Sequence, residues 1–334
     1  MDTLETLTQQ VMSGHKVTRE EALWLSTQPL ELLCRQADKI RRHFCKNTFD
    51  LCTIINGKSG RCSENCKFCA QSAHNHTDAD TYPLLSKEEI LADAKKQAAQ
   101  GVLRYSIVTA GKALSDKEID NMCDTIRQIR QETTLSVCVS FGLLTESQFR
   151  RLKEAGVSRV HNNLETSEKH FPNICTTHTF ADKVSAIQAA QRAGLTVCSG
   201  GIMGMGETMA DRIDMALSLR DLGITSVPVN VLNPIPGTPF GEYPTLSEAE
   251  VLRILALYRF LLPAASIRMA GGRGLLPDGG RSCFLSGANA AITGDMLTTA
   301  GITVQTDLQM LTELGYEVKL DETTDDHRHR YGRR

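Results

Sequence analysis

Ser86-Lys87-Glu88-Glu89-Ile90-Leu91-Ala92-Asp93-Ala94-Lys95-Lys96-Gln97-Ala98-Ala99-Gln100-Gly101-Val102-Leu103-Arg104-Tyr105-Ser106-Ile107-Val108-Thr109-Ala110 holds the pattern on which the fold turns. Ser86 can cap a helix whose first turn carries Glu88 and Glu89 and which stops at Gly101, so 86–100 reads as a helix. The short apolar and β-branched run 104–110 then reads as a strand. The same alternation recurs along the chain. Strands are predicted at 50–55, 104–110, 135–140, 159–165, 196–202, 226–232, 266–270 and 290–293, and helices at 117–131, 145–155, 179–193, 208–222 and 247–262. Strands that alternate with helices in this way build a parallel sheet. Eight of them, over roughly 250 residues, match the count and length of an α/β chain closed into a (β/α)8 TIM-type barrel. A doubly wound open sheet is the alternative, which periodicity alone does not separate.

Around that core, residues 1–48 read as an N-terminal helical extension, with Thr18 capping the acidic turn Glu20-Glu21 and apolar residues at helical spacing over 30–42. The barrel is expected over 49–315 and a C-terminal tail over 316–334. Its polar end, which includes His327 and His329, is expected to be disordered. Across 334 residues, 37 Lys+Arg stand against 39 Asp+Glu, a formal charge of −2 that gives no electrostatic footing for nucleic acid or a membrane surface. No basic and apolar leader opens the chain, and no run reaches the ~18 apolar residues of a span, so a cytoplasmic location is expected.

The chain has 11 cysteines, an odd number that cannot all pair internally. Three of them, Cys62, Cys66 and Cys69, form C-x3-C-x2-C in a loop just after the first strand. Thiolates this close converge on one small centre. A structural zinc site takes four protein ligands, and a [4Fe-4S] cube ordinarily takes four cysteines, so three leave one iron open. The loop also falls at the C-terminal mouth of the expected barrel, where barrel enzymes do their chemistry.

With Phe68 before Cys69, the motif resembles the radical S-adenosylmethionine superfamily. That resemblance implies a [4Fe-4S] cluster on Cys62, Cys66 and Cys69 whose open iron chelates S-adenosylmethionine, with one-electron cleavage to a 5′-deoxyadenosyl radical. Further segments, among them Val160 to Ser167, Val197 to Ile202, Ser226 to Asn230, Ile267-Arg268, Gly287 to Asn289 and Leu297 to Thr299, occur together and in order as in the biotin synthase family, which the chain resembles from about residue 45 to 315. The resemblance implies that Asn163 touches both S-adenosylmethionine and substrate, and that Glu165, where the family more often has Asp, takes the ribose hydroxyls. It places Phe68, Gly200, Gly201 and Ile202 in the same cofactor site. Asn230 would bond the ureido ring of dethiobiotin, and Thr298 and Thr299 its carboxylate, although these threonines taken alone also read as a helix cap.

Cys138 and Cys198 are single strand cysteines, a type that usually packs as a small hydrophobe. Arg268, however, lies in an apolar run and needs an anionic partner if buried. By resemblance, Cys138, Cys198 and Arg268 would hold an auxiliary cluster, a [2Fe-2S] centre or a variant, that donates sulfur. Ser106 stands where that family's better-known form has the third cysteine, and a hydroxyl is a poor ligand for iron beside thiolates. Cys52, on the neighbouring first strand, is the expected replacement, with Cys45 second. Cys34, Cys123, Cys175 and Cys283 are expected to pack. The implied activity is that of a sulfurtransferase which makes biotin from dethiobiotin, with flavodoxin or ferredoxin as electron donor and, by analogy, a homodimer. The competing readings are a hydrogenase-maturase or mutase-like radical enzyme without sulfur insertion, and an iron–sulfur or zinc scaffold without catalysis.

Overall fold

The computed structural model describes residues 3–320, so the polar end of the expected tail, with His327 and His329, lies outside the described residues. Ten strands follow in chain order: β1 (Thr48–Lys58), β2 (Arg104–Thr109), β3 (Ser136–Ser140), β4 (Val157–His161), β5 (Thr196–Cys198), β6 (Gly201–Met203), β7 (Ser226–Val231), β8 (Ser266–Met269), β9 (Ala290–Thr293) and β10 (Glu317–Val318). Pairing runs in parallel from β1 through β5 to β7, β8 and β9, and β9 returns to β1. β6 pairs with β7 and continues the stave that β5 begins. The result is a closed eight-stave barrel ringed by helices, not an open sheet.

Local chemistry starts the outer helices where the sequence places them. Reciprocal caps join Ser86 to Glu89, Ser115 to Glu118, Thr145 to Gln148, Thr179 to Asp182, Thr208 to Asp211 and Ser247 to Glu250. Each cap satisfies orphan N–H groups and contributes about 1 kcal/mol. The strands obey a period of two. Tyr105, Ile107, Val137, Val139, Val160, Val227, Ile267 and Met269 pack outward into the core beneath the helices. Their neighbours Arg104, Ser106, Cys138, Arg159, Pro228 and Arg268 face the interior.

Three expectations need adjustment. The predicted strand 159–165 ends at His161, so Asn163 and Glu165 lie in the loop beyond it. The predicted strand 196–202 breaks at Ser199 and Gly200, because a Cβ on Gly200 would stand 1.9 Å from the Pro228 carbonyl oxygen. Only glycine lets the two backbones approach that closely. The expected tail also begins too early, since Glu317–Val318 pairs with Thr48 and Phe49 and the Tyr316 hydroxyl donates to Phe284 O at 2.6 Å. The N-terminal residues form three helices, α1 (Leu4–Met12), α2 (Arg19–Leu25) and α3 (Leu30–Cys45), with α3 packed on the helix Glu248–Leu261. Among the described residues no helix is long and apolar enough to cross a membrane.

Candidate active site

A cavity of about 340 Å³ occupies the barrel interior and its C-terminal mouth. Phe68 and Cys69 of the cysteine loop, Asn163, Glu165, Ile202, Asn230, Thr298 and Thr299 surround its upper part, and Cys52, Cys138, Cys198 and Arg268 its lower part. Residues spread over nearly 250 positions are therefore brought to one space. Gly200 and Gly201 lie behind this wall: a Cβ on Gly201 would meet the Glu165 carbonyl oxygen at 2.3 Å.

The cysteine loop is shaped by its own backbone. Cys62 N donates to Gln71 O at 3.0 Å, Ala73 N to Cys62 O at 2.8 Å, and Cys69 N to Cys66 O at 3.1 Å. Asn75 Nδ2 reaches the carbonyls of Cys66 and Cys69 at 3.2 and 2.8 Å. The three thiols remain partly exposed. Among the described residues their three sulfurs do not all fall within 4.8 Å of one another, so they do not form a ready-made site for a single ion.

On the opposite wall Glu165 has φ +71°, a left-handed conformation that costs a residue of its kind about 1–3 kcal/mol. It is held there by Glu165 N donating to Gly200 O at 3.0 Å and Ile202 N donating to Glu165 O at 2.9 Å. Asn163 Oδ1 accepts from Gly200 N at 3.1 Å, and its Nδ2 donates to Glu165 Oε2 at 3.3 Å. This places two polar side chains together at the mouth. Asn230 is oriented by donating to Gly201 O at 3.0 Å and accepting from Gly271 N at 2.9 Å, which leaves one N–H and one lone pair free for a ligand. Thr298 and Thr299 cap no helix; Thr303 caps the helix Val304–Glu313, and the two threonines line the cavity instead.

The floor holds what the sequence reading missed. Barrel interiors are ordinarily filled by Val, Ile and Leu layers, yet here Asp50, Arg104, Arg159 and Arg268 are each at most 2% exposed. Arg268 donates to Asp50 Oδ2 at 2.8 Å and to the Asp50 and Ala291 carbonyls at 3.0 Å each. Arg104 and Arg159 approach the same carboxylate at 3.3 and 3.4 Å. The anionic partner that Arg268 needs is thus Asp50 on the first strand, in addition to the cluster that the resemblance places beside it. Burial opposes ionisation of Asp50, but the charges of Arg104, Arg268 and Arg159 prevail and hold its carboxyl well below the ordinary range. Three guanidinium groups thus converge on this one carboxylate. Among the described residues, Arg159 Nε and one of its terminal nitrogens have no partner. A buried, unsatisfied cation of this kind calls for an anionic occupant.

The thiols around that floor differ. Burial pushes Cys52 up to about 12 and Cys138 up to about 11, whereas at Cys198 burial is outweighed by His161, Arg268 and Arg159, which bring it to about 6. Ser106 pairs in register with Cys138, and its hydroxyl hydrogen-bonds that thiol. Cys45 stands elsewhere, outside the barrel beside Arg259 at 3.4 Å, which removes the second candidate for a floor ligand. Cys175 does more than pack: its sulfur lies 3.8 Å from that of Cys66. The signal for the floor was present as period-two polarity, with Asp50 and Cys52, Arg104 and Ser106, and Ser136 and Cys138 spaced two apart on otherwise apolar strands.

Residues 58–219 match the radical SAM superfamily, and residues 228–317 match the Biotin and Thiamin Synthesis associated domain. The biotin synthase of Brachyspira hyodysenteriae is 59% identical over 319 residues, 96% of each chain. That of Akkermansia muciniphila is 57% identical over 320 residues, 96% of this chain and 100% of the other. The chain belongs to the biotin synthase family. Membership of the biotin synthase family makes it a sulfur-inserting radical S-adenosylmethionine enzyme with a [4Fe-4S] cluster and S-adenosylmethionine as cofactors, which sets aside the non-catalytic scaffold. Crystal structures of methylornithine synthase (TM-score 0.82, 20% identity, 94% of this chain and 97% of that one) and of a FeFe-hydrogenase maturase from Carboxydothermus hydrogenoformans (TM-score 0.81, 18% identity, 97% and 81%) share the fold of this biotin synthase relative.

Proposed function

We propose that this chain inserts sulfur into dethiobiotin to form biotin, with the radical chemistry at the mouth of the barrel and the sulfur source on its floor. The observation that carries the reading is the single cavity reaching from Cys69 to Cys52, Cys138 and Cys198. Cys62, Cys66 and Cys69 would hold a [4Fe-4S] cluster, whose chemistry would be one-electron cleavage of S-adenosylmethionine to a radical able to take hydrogen from an unactivated carbon. Glu165 accepts from the ribose hydroxyls of that cofactor, Asn163 bridges cofactor and substrate, and Phe68, Gly200, Gly201 and Ile202 shape the pocket around it. Asn230 offers its free N–H and lone pair to the ureido ring, and Thr298 and Thr299 donate to the carboxylate. With both ends of the substrate held, its reactive carbons lie between mouth and floor, and the barrel wall keeps water and oxidant away from the radical.

An auxiliary iron–sulfur cluster on Cys52, Cys138 and Cys198 would supply the sulfur. The fit rests on the three guanidinium groups gathered beneath these thiols and on the N–H groups of Arg159 that have no partner among the described residues. Arg268 belongs to the same site: Asp50 keys it in place, and it lines the cavity beside the thiols. Ser106 serves Cys138 by hydrogen bond, which leaves Cys52 as the third thiol. A flavodoxin or ferredoxin as reductant, a homodimer and a cytoplasmic location complete the proposal.

The test is anaerobic reconstitution with iron and isotopically labelled sulfide, followed by dethiobiotin, S-adenosylmethionine and a low-potential reductant. Labelled biotin with 5′-deoxyadenosine is the expected result; 5′-deoxyadenosine without biotin would remove the sulfur-inserting reading.

A further inference from the structure

The loop that carries Cys62, Cys66 and Cys69 has a fourth thiol against it. Cys175 Sγ stands 3.8 Å from Cys66 Sγ and 3.4 Å from Nδ1 of His178, and that ring nitrogen lies 2.6 Å from Glu64 Oε2. Cys66, Cys175 and His178 are, among the described residues, the one group of such side chains whose donor atoms all fall within 4.8 Å of one another. Neither Cys62 nor Cys69 belongs to it. The function proposed above gives Cys175 no task, and a buried thiol in contact with a cluster-binding thiol and with His178 is not explained by packing alone.

The contact is imposed by the backbone. Lys67 N donates to Ile174 O at 2.9 Å, and Asn65 N to Thr177 Oγ1 at 3.1 Å. Asn65 Oδ1 in turn accepts from Thr176 N at 2.9 Å and Thr177 N at 3.2 Å. Residues 65–67 are thereby clamped along residues 174–177, with Cys66 and Cys175 on facing sides of the clamp. A disulfide needs its sulfurs about 2.0 Å apart. At 3.8 Å the two sulfurs are already in contact, and about 1.8 Å of further approach would close the bond.

We propose that, whenever the loop holds no cluster, Cys66 and Cys175 form a reversible disulfide that takes Cys66 out of the ligand set, so that cluster assembly waits on thiol reduction. The co-reactant is a low-molecular-weight disulfide. Cys66 sulfur attacks one of its sulfurs, forming a mixed disulfide and releasing one small thiol. Cys175 sulfur then attacks Cys66 sulfur, forming the internal bond and releasing the second thiol. The two protein sulfurs lose two electrons, the small disulfide gains them, and both thiol protons leave on the released thiols. Excess small thiol runs the exchange backwards. The benefit is chemical: a lone thiol oxidised further proceeds to sulfinic acid, which small thiols do not restore, whereas a disulfide is restored. The gating step rests on the assignment of Cys66 to the [4Fe-4S] cluster, but the cross-link itself does not.

The full-length chain is stripped of iron with chelator, treated anaerobically with glutathione disulfide, alkylated and mapped by peptide mass spectrometry. The expected result is a peptide linking Cys66 to Cys175, with those two thiols lost to alkylation. Iron and sulfide should then fail to restore cluster absorbance until dithiothreitol is added. Cys175→Ser should carry a glutathione adduct on Cys66, form no internal link, and take up a full cluster in thiol buffer. Cluster-loaded wild type should keep Cys175 alkylatable under the same treatment. Links from Cys66 to Cys62 or Cys69, or a Cys175 that stays alkylatable in the stripped protein, would overturn the proposal. A Cys66–Cys175 link that leaves cluster assembly unhindered would overturn the gating step and the assignment of Cys66, while the cross-link stands.

Discussion

The cysteine loop at the mouth and the cysteines of the floor lie on one cavity but are held by different forces. At the mouth, Cys62, Cys66 and Cys69 are partly exposed on a short loop, positioned mainly by backbone and amide hydrogen bonds such as those of Asn75, with the single acid–imidazole pair of Glu64 and His178 at its base. At the floor, Cys52, Cys138 and Cys198 are buried on three separate strands, above an assembly in which Asp50 joins three arginines. A partly exposed loop at the mouth leaves a cofactor room to enter and leave. A buried charge assembly cannot shift without exposing an unpaired ion, so it fixes whatever it holds. The difference suits a mouth that exchanges S-adenosylmethionine and a floor that must present sulfur in one place.

The comparison is broken most completely at the mouth. Cys66→Ala should abolish 5′-deoxyadenosine formation, read by chromatography, while the iron bound at the floor remains. Next in size is Asp50→Asn. It leaves three buried guanidinium groups without their carboxylate, and urea unfolding should show a loss of about 3–5 kcal/mol. Because the folded-state carboxyl is held below its unfolded value, that contribution is complete above the unfolded pKa near about 4 and is lost as pH falls toward the folded one. The gap between wild type and variant should therefore narrow in acid.

Cys52→Ala sharpens the assignment within the floor. Auxiliary-cluster absorbance and the corresponding iron should be lost while S-adenosylmethionine cleavage persists, and Cys45→Ala should change neither. The smallest effect is expected from Glu165→Asp. Aspartate tolerates the left-handed backbone better than glutamate but has a shorter reach, so the KM for S-adenosylmethionine should rise by about tenfold, the worth of one charged hydrogen bond, with kcat little changed.

How far the sequence can be read follows from what holds each part. The capped helices, the barrel count and the C-x3-C-x2-C loop are local patterns, and each lies within a few turns of chain. The place of Cys52 on the floor was inferred from strand adjacency, and the cavity puts it beside Cys138, Cys198 and Arg268. Asp50 was passed over because its three partners come from residues 54 to 218 positions away. Cys175 was read as packing because nothing nearby in sequence marks a cysteine 109 residues from Cys66 as its neighbour.

By itself, the sequence determined the α/β alternation, the helix starts and the gathering of three thiols on one loop, because capping, period-two burial and close thiol spacing act between residues near one another along the chain. Tertiary structure decided which strand faces meet, that one carboxylate serves three arginines, that Glu165 bends into a left-handed conformation against Gly200, and that Cys175 stands at Cys66. Barrel closure sets these contacts: it aligns strands in register across a lumen, and the sign and satisfaction of a buried charge depend on every wall at once.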